Sequence, residues 1–218
     1  MVDQEGVVSR TQAFVRAQLE GEASGHDWWH VHRVWRTAVE IGSEEGVDLF
    51  VVQLAALLHD IADAKFHDGD EEIGPHSAAD WLRSLGVDEQ AVEHVAMIIR
   101  DLSFKGAGVQ TPMSTREGMV VQDADRLDAL GAIGIARAFA FGGFRGQVLY
   151  DPEDSPVMHA TVDAYRSHRG STLNHFFEKL LLLKDRMNTE PARRIAGERH
   201  RFMERFVSQF SDEWDGRA

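Results

Sequence analysis

A chain of 218 residues, 43% of them hydrophobic, carries enough apolar material for one large domain or two small ones. It contains no cysteine, which excludes disulfide frameworks, thiolate nucleophiles, iron–sulfur clusters and zinc knuckles, so any metal must be held by nitrogen and oxygen. The 36 acidic against 23 basic side chains give a net charge of −13, which opposes association with nucleic acid or an anionic membrane surface. A small anionic substrate stays open, provided a cation and a few local basic groups overcome the field. The opening segment MVDQEGVVSRTQAFV lacks the form of a signal peptide, and no stretch approaches the roughly 20 apolar residues of a membrane span, so a cytoplasmic protein is expected.

Helical periodicity dominates, and period-two alternation between turn residues is hard to find, so the expected fold class is all-α without significant sheet. The first clear helix runs from about Asp27 to Glu45, with Val31, Val34, Trp35 and Ala38 on one stripe and Gly46 as its stop. Leu49 to Ala62 follows with almost no polar face, the mark of a helix at the centre of a domain. Lys65 to Gly74 reads as a loop, then helices at about Pro75 to Leu85 and Asp88 to Leu102 flank Gly86. Glycines and a proline make a turn region of Ser103 to Pro112. Thr115 to Ala140 reads as one helix, and the Gly142, Gly143, Gly146, Pro152 and Pro156 cluster as a substrate-side loop. Amphipathic helices at Thr172 to Met187 and Glu190 to Phe210 close the chain. With no repeat or linker, residues 1–218 are expected to form one compact bundle.

Leu57-Leu58-His59-Asp60-Ile61 sets an imidazole and a carboxylate at the end of the most apolar helix. Burial of that pair without partners costs several kcal/mol, so either a mutual hydrogen bond or a cation must satisfy it. His30 begins the stripe of the first helix, and Asp123, Asp125 and Asp128 precede or enter the apolar helix around Leu130. An imidazole from one helix, a His-Asp pair from a second and a carboxylate from a third would form a mixed nitrogen and oxygen site. That set suits Mn²⁺, Mg²⁺, Fe²⁺, Co²⁺, Ni²⁺ or Zn²⁺ and leaves positions on an octahedral ion for water and a phosphate oxygen.

The order His…His-Asp…Asp, within HxxRVW, AALLHDIADAKF and VQDADRLDALGAIGIARAF, resembles the HD-domain metal-dependent phosphohydrolases. SFKGA at 103–107, NHFFEKLLLLKDRMNTEPARRIA at 174–196 and the late RHRFM are similar to the small bacterial branch that includes deoxynucleoside triphosphate pyrophosphohydrolases. The resemblance implies that His30, His59, Asp60 and Asp125 are metal ligands, with Mn²⁺ or Mg²⁺ as the foremost ions. His30 is preferred to His32 because Arg33 must stand three residues after the ligand; His32 lies about 200° around the helix from His30. Asp123 is the alternative if the register moves by two. His26, one turn before His30, reads as a capping or outer-layer residue, or as one that assists a second metal or contacts substrate.

Asp63 stands one helical turn after His59, and the resemblance implies that it orients or deprotonates the attacking water; a solvated surface carboxylate is the alternative. Phosphate-neutralising cations are sought in Arg33, Lys65, Lys105, Arg126 and Lys179. Arg33 and Arg126 could equally pair with Asp27, Asp60 or Asp128. His175 with Asn174 and the Phe176-Phe177 pair offers groups for a base or ribose, although such a pair more often lies in a core. His94 reads as a satisfied core histidine. The function implied is metal-dependent hydrolysis of a nucleoside phosphate, foremost a (deoxy)nucleoside triphosphate to monophosphate and pyrophosphate. A phosphomonoesterase and a non-catalytic metal or nucleotide sensor are the other readings. The expected partner is a small-molecule nucleotide, and no oligomeric state can be read.

Overall fold

A computed structural model describes residues 2–21, 27–61, 72–102, 106–161, 168 and 170–217. The described residues are all-helical, with no strand among them. Helices α1 (Gln4–Gln18), α2 (Trp28–Glu45), α3 (Leu49–Leu58), α4 (Ile73–Ser84), α5 (Glu89–Asp101), α6 (Arg116–Asp128), α7 (Gly131–Phe144) and α8 (Asn174–Glu178) are followed by a 3-10 helix, Leu180–Arg186, and by α9 (Glu190–Trp214). No single helix among the described residues is long and apolar enough to cross a membrane.

By internal contacts the chain groups into two compact units, one within Met1–Ser103 and Thr111–Asp125, the other within Phe104–Gln110 and Arg126–Ala218. In the first, α3 packs against α1, α2 and α5. Its residues Phe50, Val51, Val52 and Leu54 to Leu58 are all buried, as expected of a helix apolar all round and surrounded by partners. Val31, Val34, Ala38 and Ile41 supply the inward stripe of α2, and Gly46 ends that helix at φ +66°. Capping aspartates start four helices: Asp3, Asp27, Asp48 and Asp88 each accept a backbone amide of the following first turn.

Helix α1 precedes the first helix expected from the sequence. Its buried row is Val7, Thr11 and Val15, and the polar middle member hides the period. Thr11 is at home there because its hydroxyl donates to the Val7 carbonyl at 2.9 Å and accepts from Trp81 Nε1 at 3.0 Å. Phe14 stacks on Trp81 at 3.8 Å between ring centroids.

Several elements differ from their sequence expectation. Helix α3 stops at Leu58, with His59 to Ile61 in a turn. The single helix expected over Thr115 to Ala140 is broken: Leu130 adopts an extended conformation and Gly131 a left-handed one at φ +74°, which glycine alone takes readily. The helix after the break runs on through Gly142 and Gly143 to Phe144. Gly142 is needed because the Thr172 hydroxyl would lie 2.1 Å from a side chain there. Within the helix expected over Thr172 to Met187, only Asn174–Glu178 is α-helical. The four-leucine run then winds as a 3-10 helix, which puts Leu180 and Leu183, three apart, on its buried side.

In the second unit α9 packs against α7 and the 3-10 helix. Phe139, Phe206 and Phe210 cluster around the buried Phe176 ring, and Tyr150 and Trp214 continue the cluster.

Candidate metal centre

Asp27 Oδ1 accepts the backbone N–H of His30 at 2.9 Å, which fixes the start of α2 and places His30 in its first turn. The His30 side chain is 1% exposed. Helix α3 delivers the second imidazole at its end, where His59 Nδ1 stands 2.9 Å from the Ala56 carbonyl oxygen. A carbonyl can only accept, so Nδ1 carries the proton and Nε2 presents a lone pair. Asp60 follows in the turn, and Asp125 comes from α6.

Their donor atoms converge. His30 Nε2 lies 3.2 Å from His59 Nε2, 3.2 Å from Asp60 Oδ2 and 3.6 Å from Asp125 Oδ1. His59 Nε2 lies 3.5 Å from Asp60 Oδ2 and 3.8 Å from Asp125 Oδ1. Metal bonds of about 2.1 Å put neighbouring donors roughly 3.0 Å apart in an octahedron and 3.4 Å in a tetrahedron. The group is therefore spaced for one first-row divalent ion, and His30, His59 and Asp60 can hold it with donor atoms all within 4.8 Å of one another. Two imidazoles and two carboxylates supply only nitrogen and oxygen and bring two negative charges to a dication. Asp125 is the accessible member, 34% exposed against 13% for Asp60, so solvent reaches the cluster from its side.

The remaining candidates are placed as follows. The His32 ring is not in the group; it lies 5.6 Å from Trp28, 5.8 Å from Trp29 and 5.6 Å from Trp35 between ring centroids. Asp123 is fully buried, two residues before Asp125. Arg33 is half-buried on α2. In the second unit Arg126 is buried and its guanidinium donates to the Arg186 carbonyl; His175 and Lys179 are half-buried there. Phe176 is a core residue, whereas Phe177 is exposed. His94 Nε2 is 3.0 Å from the Thr115 hydroxyl and 3.9 Å from Glu117, in keeping with a satisfied histidine. His26, Asp63, Lys65 and Lys105 lie outside the described residues.

Sequence reading passed over two polar arrangements in the second unit. The Arg186 guanidinium donates to the carbonyls of Gly106 at 3.2 Å, Val109 at 3.3 Å and Ala107, and burial pushes its pKa below the usual arginine value. His159, His168 and Glu178 also come together. Neither carries a local motif, because the partners are backbone carbonyls in one case and residues nine or more apart in the other.

An all-helical fold that gathers two buried histidines and two more accessible aspartates at one point has the donor set of a divalent-metal protein. The HD domain model matches residues 28–130. YpgQ of Bacillus subtilis (strain 168) is 44% identical over 207 residues, which are 94% of this chain and 92% of that one. A Lactobacillus plantarum crystal structure is similar with a TM-score of 0.87 at 37% identity, covering 99% of this chain and 100% of the other. An HD-superfamily hydrolase from Bacillus thuringiensis is 45% identical with a TM-score of 0.74, covering 97% and 98%. YpgQ has also been solved in complex with ADP; that structure has a TM-score of 0.76 and covers 96% of either chain. The chain belongs to the HD-domain superfamily of metal-dependent phosphohydrolases.

Proposed function

We propose that this HD hydrolase cleaves nucleoside phosphates, foremost (deoxy)nucleoside triphosphates to monophosphate and pyrophosphate, with His30, His59, Asp60 and Asp125 as its metal ligands. The observation that carries the reading is the convergence of the two Nε2 atoms and two carboxylate oxygens at 3.2 to 3.8 Å. The ADP complex of YpgQ supports a nucleotide as substrate class. Mn²⁺ or Mg²⁺ is the proposed ion; Fe²⁺, Co²⁺, Ni²⁺ and Zn²⁺ fit the same donors. When bound, it lowers the pKa of a water and polarises the phosphoryl group.

The protein's own groups do the rest. The Ala56 carbonyl holds the His59 ring in the tautomer that frees Nε2. Asp125, on the accessible side, marks where substrate enters. Asp63 takes the proton of the attacking water as a new oxygen–phosphorus bond forms at the α-phosphorus and the bridging oxygen leaves with pyrophosphate. Arg33, Lys65, Lys105, Arg126 and Lys179 are the proposed phosphate contacts, and His175 a contact to base or ribose. The whole chain, 1–218, is proposed to act as one HD-type domain, which full-length similarity to solved chains supports. A nucleotide substrate also argues for residence in the cytoplasm.

The test is chromatographic product analysis with Mn²⁺ and a panel of nucleoside mono-, di- and triphosphates, with His59→Ala and Asp60→Ala as controls. Triphosphates should yield monophosphate and pyrophosphate, and both variants should lose turnover. Release of orthophosphate from monophosphates would instead establish a phosphomonoesterase, and nucleotide binding without consumption under any of these metals a sensor.

A further inference from the structure

The second unit holds a cluster that the hydrolytic reading does not use. Three stretches of chain meet there. Gly108 N–H donates to the His159 carbonyl at 3.0 Å, which ties the 106–110 segment to the one bearing His159. Gln147 Nε2 donates to the Gly170 carbonyl at 3.2 Å, and Thr172 and Leu173 N–H donate to the Val148 and Leu149 carbonyls, which anchors the segment that follows His168. Glu178 ends α8 with its carboxylate buried.

At the meeting point His168 Nε2 lies 3.3 Å from Glu178 Oε1, and the His159 and His168 rings are 4.6 Å apart between centroids. One donor atom from each of His159, His168 and Glu178 lies within 4.8 Å of the others. Glu178 Oε1 also accepts the Val157 N–H at 2.9 Å, a contact of the kind that orients a ligating carboxylate. His168 Nε2 is buried, and its approach to Glu178 lacks hydrogen-bond geometry. Gly170 keeps the space in front of that nitrogen clear, because a side chain there would begin 2.7 Å from Nε2 and 3.5 Å from Glu178 Oε1.

We propose that His159, His168 and Glu178 form a second metal site, for a divalent transition-metal ion of the zinc class, beyond the proposed His30, His59, Asp60 and Asp125 centre. An ion pair between His168 and Glu178 would use two of these groups; an ion uses the third as well. Small rotations of the side chains bring the three donors to bonds of about 2.0–2.2 Å. Two imidazoles and one carboxylate favour Zn²⁺, Ni²⁺, Co²⁺ or Fe²⁺ over Mg²⁺ and Ca²⁺, which prefer oxygen alone. His168, with 24% of its side chain exposed, gives the ion a way in, and a tetrahedral ion keeps one position for water. Bound there, the ion fastens the segments of His159 and His168 to α8, so its binding free energy adds to the stability of the fold.

The experiment is Zn²⁺ binding to chelator-stripped protein, read by calorimetry and elemental analysis, in wild type, in His59→Ala/Asp60→Ala, in His168→Ala/Glu178→Gln, and in the combined variant. Wild type should bind two equivalents, each double variant one, and the combined variant none. In the His59→Ala/Asp60→Ala background, Co²⁺ should produce visible d–d absorption, and imidazole ¹H–¹⁵N spectra should show Zn²⁺ shifting the His159 and His168 resonances. That readout needs no change at the second site, so it decides even where His168→Ala/Glu178→Gln does not fold. Loss of all Zn²⁺ binding in His59→Ala/Asp60→Ala, with its fold intact by circular dichroism, would overturn the proposal. So would unmoved His159 and His168 resonances. Conversely, a single wild-type equivalent that survives His59→Ala/Asp60→Ala and disappears in His168→Ala/Glu178→Gln would sustain the second site and refute the first.

Discussion

Replacing Asp27 with alanine removes the oxygen that accepts the His30 amide at 2.9 Å. Loss of an N-cap side chain costs about 1 kcal/mol, and loss of a carboxylate from a helix N-terminus about 0.5 kcal/mol more. The sum of about 1.5 kcal/mol should lower Tm by about 3–6 °C in a chain of this size. His30 stands in the turn that this cap fixes, so the first turn should fray and misplace its Nε2. Contacts one step removed from a metal typically change affinity by about 10–100-fold, and a cap acting through the backbone should fall near the lower figure. Mn²⁺ titration calorimetry and thermal melting of Asp27→Ala and Asp27→Asn would measure both effects. Asparagine caps as well as aspartate, so Asp27→Asn should retain most of the affinity. A Tm loss in Asp27→Ala with wild-type Mn²⁺ affinity would refute the idea that the cap positions His30. Equal losses in both variants would show that charge, not the hydrogen bond, is responsible.

Gly134→Ala places a methyl carbon 2.2 Å from the Ala129 carbonyl oxygen, a backbone atom that cannot swing away. A cost of about 3 kcal/mol, read as a Tm drop of about 6–12 °C, is expected, and an unchanged melt would mean that the corner before α7 yields. Arg186→Lys keeps the charge but loses the planar fork that serves the Gly106, Ala107 and Val109 carbonyls. Urea unfolding should show a loss of about 2 kcal/mol and hydrogen exchange should show weaker protection of the Val109 amide; wild-type values in both would deny the clamp. Arg83 donates to the Glu89 carboxylate and holds its pKa below the ordinary value. The stabilisation is thus present above that ordinary value and disappears as pH falls through the lowered one. Glu89→Gln should melt below wild type near neutral pH and converge with it in acid; a constant gap would remove the ion pair as its cause.

Much of the proposed metal centre was legible because its residues stand out by position. His59 and Asp60 interrupt the most apolar helix, and His30 opens an amphipathic stripe. A polar group in such a setting requires a partner, and that requirement is visible in one dimension. The preference for His30 over His32 rested on the spacing to Arg33 that the resemblance implies; helix geometry said only that the two rings point apart, and the His32 ring lies beside the Trp28, Trp29 and Trp35 rings. Less visible were helix α1, whose buried Thr11 breaks the apolar row, and the stop at Leu130-Gly131, where a left-handed glycine interrupts a continuous helical pattern.

By itself the sequence determined the helical class, the central place of α3 and the need of His59-Asp60 for a partner, because periodicity and the cost of burying polar groups are written along the chain. Only the tertiary structure decided that the donors of His30, His59, Asp60 and Asp125 meet at 3.2 to 3.8 Å, that four leucines wind as a 3-10 helix, and that His159, His168 and Glu178 share one point. Distances between residues far apart in the chain depend on how helices pack, and that packing is set by all the side chains together.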